Sequence, residues 1–286
     1  MGLVSKIKFW LKKKKKVFLI EHPEDLNLVK KSIKQEKFLG IDTEFDWRNT
    51  YFPRLSLLQI STSERIFLID YLKCKDLYFL KGILEDMNKL IIFHSSRSDT
   101  TILNTNLNIR VKKVFDIQIA EKNINGGKIR NYGSIVNNYF SIKLNKSETN
   151  SDWLRRPLNN KQLRYAADDV SFLIDIYKKQ IKKLKKLELL EKTFKESTTE
   201  ANLGNQELFV SRLNKIKKLP NLEKEIFLWR EKLAIKKNIP PSFIFFDKSL
   251  KEISKITRRK KIEKSSFYEV FKKKSYVEIF MDEMNI

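Results

Sequence analysis

The chain has 286 residues, and 41% of them are hydrophobic, which supports a folded core and excludes a wholly disordered protein. Its formal net charge of +24 favours a polyanionic partner, first a nucleic acid and second an anionic membrane surface, although a lysine-rich composition explains part of the excess. The single cysteine excludes an internal disulfide and a cysteine zinc site, and two histidines are too few for a His-rich metal site. Catalysis would therefore use carboxylates, hydroxyls or amines.

Residues 1–16 contain seven lysines and no acid, and we expect them to form a basic N-terminal extension. Its apolar stretch is too short for a secretory signal, and no run in the chain is long enough to span a membrane. The extension would either touch phosphates or lipid headgroups or be solvated and partly disordered, and the second reading is our prediction. These features, with the single cysteine, predict a cytoplasmic protein.

The next segments alternate between strand and helix patterns. Residues 17–20 read as a short strand, and Pro23 begins a helix with acids in its first turn. Residues 38–45, 55–61 and 65–70 read as three neighbouring strands, the last two at hairpin distance. Residues 77–87 read as a helix and 89–94 as another strand. This order predicts an α/β domain.

Two carboxylates, Asp42 and Glu44, interrupt the apolar run 38–45 with one residue between them. Side chains alternate along a strand, so both acids point to the same face. Two buried acids side by side repel each other and lose hydration, and a cation would relieve this, with Mg²⁺ or Mn²⁺ suited to hard oxygen ligands. The alternative is a strand end with a solvated glutamate.

Asp99 follows the strand 89–94 and stands at the start of a helical pattern. The carboxyl ends of strands are where open α/β sheets present their sites, but an acid at such a place is also a common helix N-cap. Asp116, in a later buried run, is interpreted as a structural hydrogen-bond acceptor.

Residues 161–175 are strongly helical by periodicity. Tyr165 and Asp169 are four residues apart and so share a helix face. Alone, this pair fits a core tyrosine above an exposed acid. A functional role for the pair is favoured by its position in the chain. It follows two acids on one strand, Asp42 and Glu44, and then an acid that comes after a strand, Asp99.

That order resembles the ribonuclease D branch of the DEDD 3′–5′ exonucleases. The resemblance spans about residues 17–190 and is carried by five segments: Phe38 to Phe45, Tyr51 to Gln59, His94 to Asp99, Lys146 to Leu158 and Tyr165 to Asp169. Within the fourth segment, the run Ser-Asp-Trp-Leu-Arg-Arg-Pro-Leu is the most distinctive.

The resemblance assigns Asp42 and Glu44 to the first exonuclease motif, Asp99 to the second, and Tyr165 with Asp169 to the third. It implies that Asp42, Glu44, Asp99 and Asp169 are metal ligands and that Tyr165 orients the attacking water.

The histidine version of the third motif is absent here, because Arg164 stands five residues before Asp169. His94, five residues before Asp99, mimics that spacing in the wrong motif and is interpreted as a local structural residue. Asp168 is interpreted as an exposed helix position.

The resemblance also implies a ribonuclease H-like fold with a mixed sheet, and two divalent ions, Mg²⁺ or Mn²⁺, at the scissile phosphate. The protein would be a monomeric 3′–5′ exoribonuclease without a membrane partner. It would release nucleoside 5′-monophosphates from RNA, with tRNA precursors that carry 3′ extensions as the natural substrate. Two alternatives stay open: a DNA 3′–5′ exonuclease of the Werner type, and a catalytically silent RNA-binding protein.

The C-terminal part of the chain reads as a separate helical module. Residues 196–205 look like a linker or long loop, and we place an exonuclease domain at 17–195, a linker at 196–212 and a helical domain at 213–286. The segments 227–234, 238–241 and 246–253 resemble the helicase-and-ribonuclease-D C-terminal (HRDC) domain. The resemblance fades after about Ile256, where a variant basic tail follows.

Overall fold

The computed structural model describes residues 5–7, 15–145 and 147–286, and these form two compact units. The first unit comprises residues up to Asp46 and then Arg54–Glu207; the second comprises Trp47–Pro53 and Leu208–Ile286. In the described part of the chain no helix is long and apolar enough to cross a bilayer. The predicted domain boundaries at residues 195 and 213 stay predictions.

A twisted mixed sheet lies at the centre of the first unit, with strand order β1-β2-β5-β4-β3-β6-β7 in the described residues. Neighbours pair antiparallel in β1/β2, β3/β4 and β4/β5, and parallel in β2/β5, β3/β6 and β6/β7. This arrangement confirms the predicted mixed sheet. The strands are β1 Ser5–Ile7, β2 Lys16–Ile20, β3 Phe38–Asp46, β4 Arg54–Ser61, β5 Arg65–Asp70, β6 Leu90–Phe93 and β7 Val114–Asp116.

Helices cover both faces of this sheet. They are α1 Leu26–Lys34, α2 Lys81–Leu84, α3 Arg97–Leu107, α4 Ile117–Ile124, α5 Tyr132–Phe140, α6 Asn160–Ser171, α7 Leu173–Lys186 and α8 Leu190–Gly204. Apolar side chains of α4 to α7 pack on one face around Leu57, Ile66 and Leu68. Those of α1, α2 and α3 pack on the other face, around Leu58 and Ile60. Neighbouring positions of β4 thus face opposite cores, as strand alternation requires.

Helix α8 corrects one prediction, because residues 196–205 were expected to form a linker or loop. Its buried side is a stripe of small residues at helical spacing: Thr193, Ser197, Ala201 and Gly204. A Cβ on Gly204 would clash with the Thr100 side chain and the Arg97 carbonyl, so glycine is what lets α8 lie close against α3. A stripe of small residues, two of the four polar, carries little hydrophobic signal, which explains the error.

Three further expectations need correction. The helix predicted over 77–87 is only a 3₁₀ turn, Tyr78–Leu80, followed by the single turn α2. Within the basic N-terminal extension, β1 is a sheet strand and not disordered chain. The Lys15 ammonium is buried and donates to Ser61 Oγ at 2.7 Å and to the Thr62 carbonyl at 2.6 Å, so this lysine is not solvated. Most of that extension lies outside the described residues.

Arg156 joins the segment before α6 to the sheet. Its Nε donates to Asp70 Oδ2 at 2.6 Å and its Nη2 donates to Asp70 Oδ1 at 2.9 Å. Its Nη1 donates to the Trp153 carbonyl at 2.6 Å, and Nη2 donates to Ser56 Oγ at 3.0 Å. The Asp70 carboxylate is 1% exposed, so the guanidinium supplies the charge and the donors that this buried acid needs.

The second unit is helical, with α9 Leu208–Leu213, α10 Asn221–Lys237, α11 Leu250–Thr257 and α12 Lys274–Glu283. Its core contains a cluster of aromatic rings in mutual edge or tilted contact, which includes Trp229, Phe271 and Phe280. The guanidinium of Arg230 is fully buried and donates to the Phe245 carbonyl, to Glu231 and to Asp247. This unit confirms the predicted all-helical C-terminal region.

Removing the Arg156 guanidinium should destabilise the protein strongly. Arg156→Ala leaves Asp70 buried without its partner, and we expect a loss of about 3 kcal/mol or more in the free energy of unfolding. Urea denaturation of the full chain would measure it. Arg155→Ala, an exposed neighbour with the same change in charge, is the control and should lie within about 0.5 kcal/mol of wild type. Equal stabilities for the two variants would contradict this role of Arg156.

Candidate active site

The site forms where β3 extends beyond the end of β6. The two strands pair from Phe38 with Leu90 to Gly40 with Ile92, and β6 ends at Phe93. Asp42 and Glu44 therefore lie past the carboxyl end of β6, where no strand of the described residues pairs with β3 on that side. The pairing of β3 with β4 shifts register between Glu44 and Phe45, an irregularity of the kind that redirects side chains near functional sites.

Three carboxylates converge at this point. Asp42 and Glu44 come from β3, and Asp169 comes from α6, which packs across β3, β4 and β5. One oxygen from each carboxylate lies within 4.8 Å of the other two. Gly40 contributes to the close packing, because a Cβ there would stand only 3.0 Å from Leu173 Cβ at the start of α7. Three hard oxygen donors at this spacing fit Mg²⁺ or Mn²⁺.

Asp99 approaches the site from α3. Its Oδ1 accepts a hydrogen bond from Thr43 Oγ1 at 2.6 Å, and the charge of Asp42 acts on its carboxylate and raises its pKa. It is the third residue of α3 and is 5% exposed, so it is a buried site residue and not the helix N-cap. Asp99 is not one of the three converging acids, but through Asp42 it belongs to the same network.

Asp116 determines where α3 begins. Its carboxylate accepts from the backbone N–H of Ser95 at 3.0 Å and of Ser96 at 2.7 Å, and it also caps α4 through Gln118 N–H at 2.9 Å. Ser95 has φ 65°, a left-handed conformation that is unfavourable for serine and is held by these bonds. Asp116 is therefore a structural acceptor, as predicted, and it supports the turn that carries Asp99.

Tyr165 stands one helical turn before Asp169 on α6. Its hydroxyl lies 3.4 Å from Thr149 Oγ1, and its ring packs at 6.0 Å from the buried Trp153 ring. Burial, followed by the negative charge of Asp169, raises the pKa of Tyr165 above its usual value. The hydroxyl therefore stays protonated at neutral pH and can act as a hydrogen-bond donor.

Tyr132 supports the end of α6 that carries Asp169. Its hydroxyl donates to the Asp168 carbonyl at 3.2 Å and accepts from Phe172 N–H at 3.2 Å, at the junction of α6 and α7. Burial, together with the charge of Asp169, raises the pKa of Tyr132 far above its usual value, so this hydroxyl also keeps its proton.

The charges of the cluster are unfavourable without a cation. Burial is the main cause that raises the pKa of Asp42, to about 6, against two hydrogen bonds that lower it. Burial and then the charges of Asp42, Asp169 and Asp99 raise the pKa of Glu44 well above its usual range. Burial and the charge of Asp42 do the same to Asp99. Acids in such an environment are typical of metal and catalytic sites.

A cavity of about 510 Å³ opens above the carboxylates. Its walls combine the three acids with apolar and aromatic groups, among them Phe45, Tyr132, Trp153 and Leu173. His94 also lines it; His94 Nε2 lies 3.3 Å from the Arg130 carbonyl and the ring packs edge-on against Tyr132. We call this space the carboxylate cavity. Its size and lining suit one nucleoside beside a phosphate.

The structure brings together the residues that the sequence singled out: Asp42, Glu44 and Asp169 in one cluster, Tyr165 beside it and Asp99 behind it. Asp168 is not an exposed position as expected, because its side chain is 14% exposed. Sequence reasoning missed Thr43, whose place between the two strand acids was the available signal, and Tyr132, whose surrounding sequence gave none.

Two family models match parts of this chain. Residues 17–185, more than half of the chain, match the model of the 3′–5′ exonuclease family, and residues 220–264 match that of the HRDC domain. The second match lies within the helical second unit.

Curated relatives are ribonucleases D. The chain is 32% identical to ribonuclease D of Desulfotalea psychrophila over 249 residues, which cover 83% of this chain and 66% of the relative. It is 32% identical to ribonuclease D of Bartonella henselae over 249 residues, which cover 82% of this chain and 60% of the relative. The chain thus spans about 60 to 66% of the length of these relatives.

A solved structure shares the fold. The crystal structure of Escherichia coli RNase D, described as an exoribonuclease involved in structured RNA processing, superposes with a TM-score of 0.75 at 24% identity. The match covers 82% of this chain and 65% of that one. An HRDC domain follows the exonuclease match in the second unit, as the match over residues 220–264 shows. Because residues 17–185 match the family model and the curated relatives are ribonucleases D, this chain belongs to the 3′–5′ exonuclease family, in its ribonuclease D branch.

Proposed function

We propose that this protein is a ribonuclease D-type 3′–5′ exoribonuclease that releases nucleoside 5′-monophosphates from RNA. The observation that carries the proposal is the convergence of Asp42, Glu44 and Asp169 within 4.8 Å, beside the Tyr165 hydroxyl, in a cavity sized for a nucleotide. Membership of the exonuclease family and relatives named ribonuclease D support the reaction and the choice of RNA.

The family uses divalent metal ions, and the carboxylates present fit them. Asp42, Glu44 and Asp169 would hold one ion, and Asp42 with Asp99 a second, with Mg²⁺ or Mn²⁺ as the candidates for both. When bound, such ions neutralise the cluster, activate a water and stabilise the departing 3′-oxygen. Asp42 would be a ligand of both ions, because its charge acts on both Glu44 and Asp99.

The protein's own groups position the substrate and the water. The apolar and aromatic walls of the carboxylate cavity hold the terminal nucleoside and reduce access of bulk water. Tyr165 keeps its proton at neutral pH, so its hydroxyl orients the attacking water and does not remove its proton. The leaving group is the 3′-oxygen of the preceding nucleotide, and the product is a nucleoside 5′-monophosphate.

We further propose tRNA precursors with 3′ extensions as natural substrates, a monomeric state and a cytoplasmic location. The resemblance to ribonuclease D supports the first of these. The net charge of +24 supports a polyanionic substrate, and the single buried cysteine suits a reducing compartment.

A 3′-extended tRNA labelled at its 5′ end should be shortened stepwise from the 3′ end in the presence of Mg²⁺ or Mn²⁺. Chelator should stop the reaction, and Asp42→Asn should reduce the rate on the order of 10³-fold, because a central ligand loses its charge. Gel time courses would measure this, with single-stranded DNA of equal length as the competing substrate.

An intact RNA that stays bound would support a silent RNA-binding protein instead. Faster degradation of DNA than of RNA would favour a DNA exonuclease of the Werner type. Either result would overturn the proposed function.

Tyr165→Phe removes one hydroxyl without changing the shape of the cavity. We expect kcat to fall about 10²-fold with little change in KM, since the orientation of water is lost and RNA binding is kept. Tyr78→Phe, at a tyrosine that is 79% exposed, is the matched control and should behave as wild type. An unchanged kcat for Tyr165→Phe would remove this residue from the mechanism.

Glu44→Gln should stabilise the metal-free protein while it abolishes activity. The raised pKa of Glu44 means that its ionised form destabilises the fold at neutral pH. In EDTA the variant should therefore have a higher Tm than wild type. Added Mn²⁺ should raise the Tm of wild type, by linkage, more than that of the variant.

Glu24→Gln, at an exposed acid in the 3₁₀ turn Pro23–Asp25, is the control and should leave both Tm values unchanged. A lower Tm of Glu44→Gln in EDTA would show that the carboxylates do not repel each other in the folded protein.

A further inference from the structure

A second cavity of about 410 Å³ adjoins the carboxylate cavity and has the opposite charge. Three cationic side chains line it: Lys143, Lys161 and Arg164. We call this space the cationic groove. All three side chains are exposed, and Lys161 and Arg164 are three residues apart on α6, so they point to the same side of that helix.

The two cavities share one wall. Leu144, Asn145 and Tyr165 line both of them, so the cationic groove begins at the tyrosine that stands beside Asp169. A polymer whose end lies among the carboxylates can therefore extend directly into the groove, along the same surface of the first unit.

The groove keeps an excess of positive charge. One acid, Asp168, also lines it, and Arg164 Nε stands 4.0 Å from Asp168 Oδ2. Among the residues that the structure describes, three cations against one carboxylate give the groove a formal charge of +2. The described lining of the carboxylate cavity next to it contains three acids and no lysine or arginine. The sign of the charge thus changes across Tyr165.

This change of sign matches the chemistry of a nucleic-acid strand. The carboxylate cavity has room for one nucleoside and the scissile phosphate, whose charge metal ions would balance. The phosphates that precede it have no such ions and need cationic side chains, which bind them with release of counterions.

We infer that the cationic groove binds the one or two backbone phosphates on the 5′ side of the scissile phosphate. This inference rests on the proposed function, which puts the 3′ end of the strand in the carboxylate cavity. Lys161 and Arg164 are then positioning residues for the substrate strand. They contribute to affinity for strands of several nucleotides, and a substrate with a single phosphate gains little from them.

The test compares two substrates in the full-length protein. One is a single-stranded RNA octanucleotide; the other is a dinucleotide with a 5′-hydroxyl, which has the scissile phosphate alone. In the double variant Lys161→Gln/Arg164→Gln, kcat/KM on the octanucleotide should fall 10- to 100-fold, chiefly through KM. The loss on the dinucleotide should be at least 10-fold smaller.

The control is Lys30→Gln/Lys31→Gln, which removes the same charge from exposed positions of α1. The buried side of α1 packs on the opposite face of the sheet from α6, so this variant should keep the wild-type ratio of the two substrates. Equal losses on both substrates, or a similar loss in the control, would overturn the inference. So would a weaker inhibition by nucleoside 5′-monophosphate with an unchanged octanucleotide KM, which would make the groove a product site.

A binding measurement separates this inference from the proposed function. In the Glu44→Gln background, fluorescence anisotropy reports octanucleotide binding at several salt concentrations without cleavage. Loss of two phosphate contacts should lower the slope of log affinity against log salt by about 1.4. If wild type cleaves neither substrate but the slope falls, the proposed function fails, and the groove binds phosphates without a role in cleavage. If wild type cleaves both and the slope is unchanged, the groove inference fails alone.

Discussion

Electrostatic repulsion among partly buried carboxylates is the constraint on which the first unit depends. Asp42, Glu44 and Asp169 lie within 4.8 Å of one another, and burial and mutual charge raise the pKa of Glu44 well above its usual range. Such an arrangement forms only if rigid elements hold it. Strand alternation in β3 supplies two of the acids, and α6, packed across three strands, supplies the third. Holding these carboxylates together therefore lowers the stability of the fold when no cation is bound.

Polar contacts around the cluster explain how that geometry is kept. Arg156 fastens the segment before α6 to Asp70 and Ser56 of the sheet, and the same guanidinium binds the carbonyl of Trp153, whose ring packs against Tyr165. At the other end of α6, the Tyr132 hydroxyl bridges the junction with α7. The distinctive Ser-Asp-Trp-Leu-Arg-Arg-Pro-Leu run therefore has a structural role: it attaches α6, which carries Tyr165 and Asp169, to β4 and β5.

Much of the candidate site could be predicted from the sequence, because the patterns that indicate it lie within single strands and helices. Alternation along residues 38–45 suffices to put Asp42 and Glu44 on one face, and four-residue spacing suffices for Tyr165 and Asp169. Only the resemblance to ribonuclease D indicated that these residues act together in one site. The contacts of Tyr132 depend on tertiary packing, which no local pattern reports.

The errors have physical causes as well. Helix α8 packs through small residues and so lacks an apolar stripe, and Lys15 is buried because two oxygens near the turn after β4 accept from its ammonium. The segment Trp47–Pro53 belongs to the second unit, where Tyr51 Oη donates to Glu231 at 3.2 Å, a contact across 180 residues that the sequence does not reveal.

We propose that acids from β3, α3 and α6 form a site for divalent ions. Anomalous X-ray diffraction from crystals grown with Mn²⁺ tests it most directly. We expect one Mn²⁺ peak within coordination distance of Asp42, Glu44 and Asp169, and a second next to Asp42 and Asp99. Crystals at saturating Mn²⁺ without a peak among the first three carboxylates would contradict it.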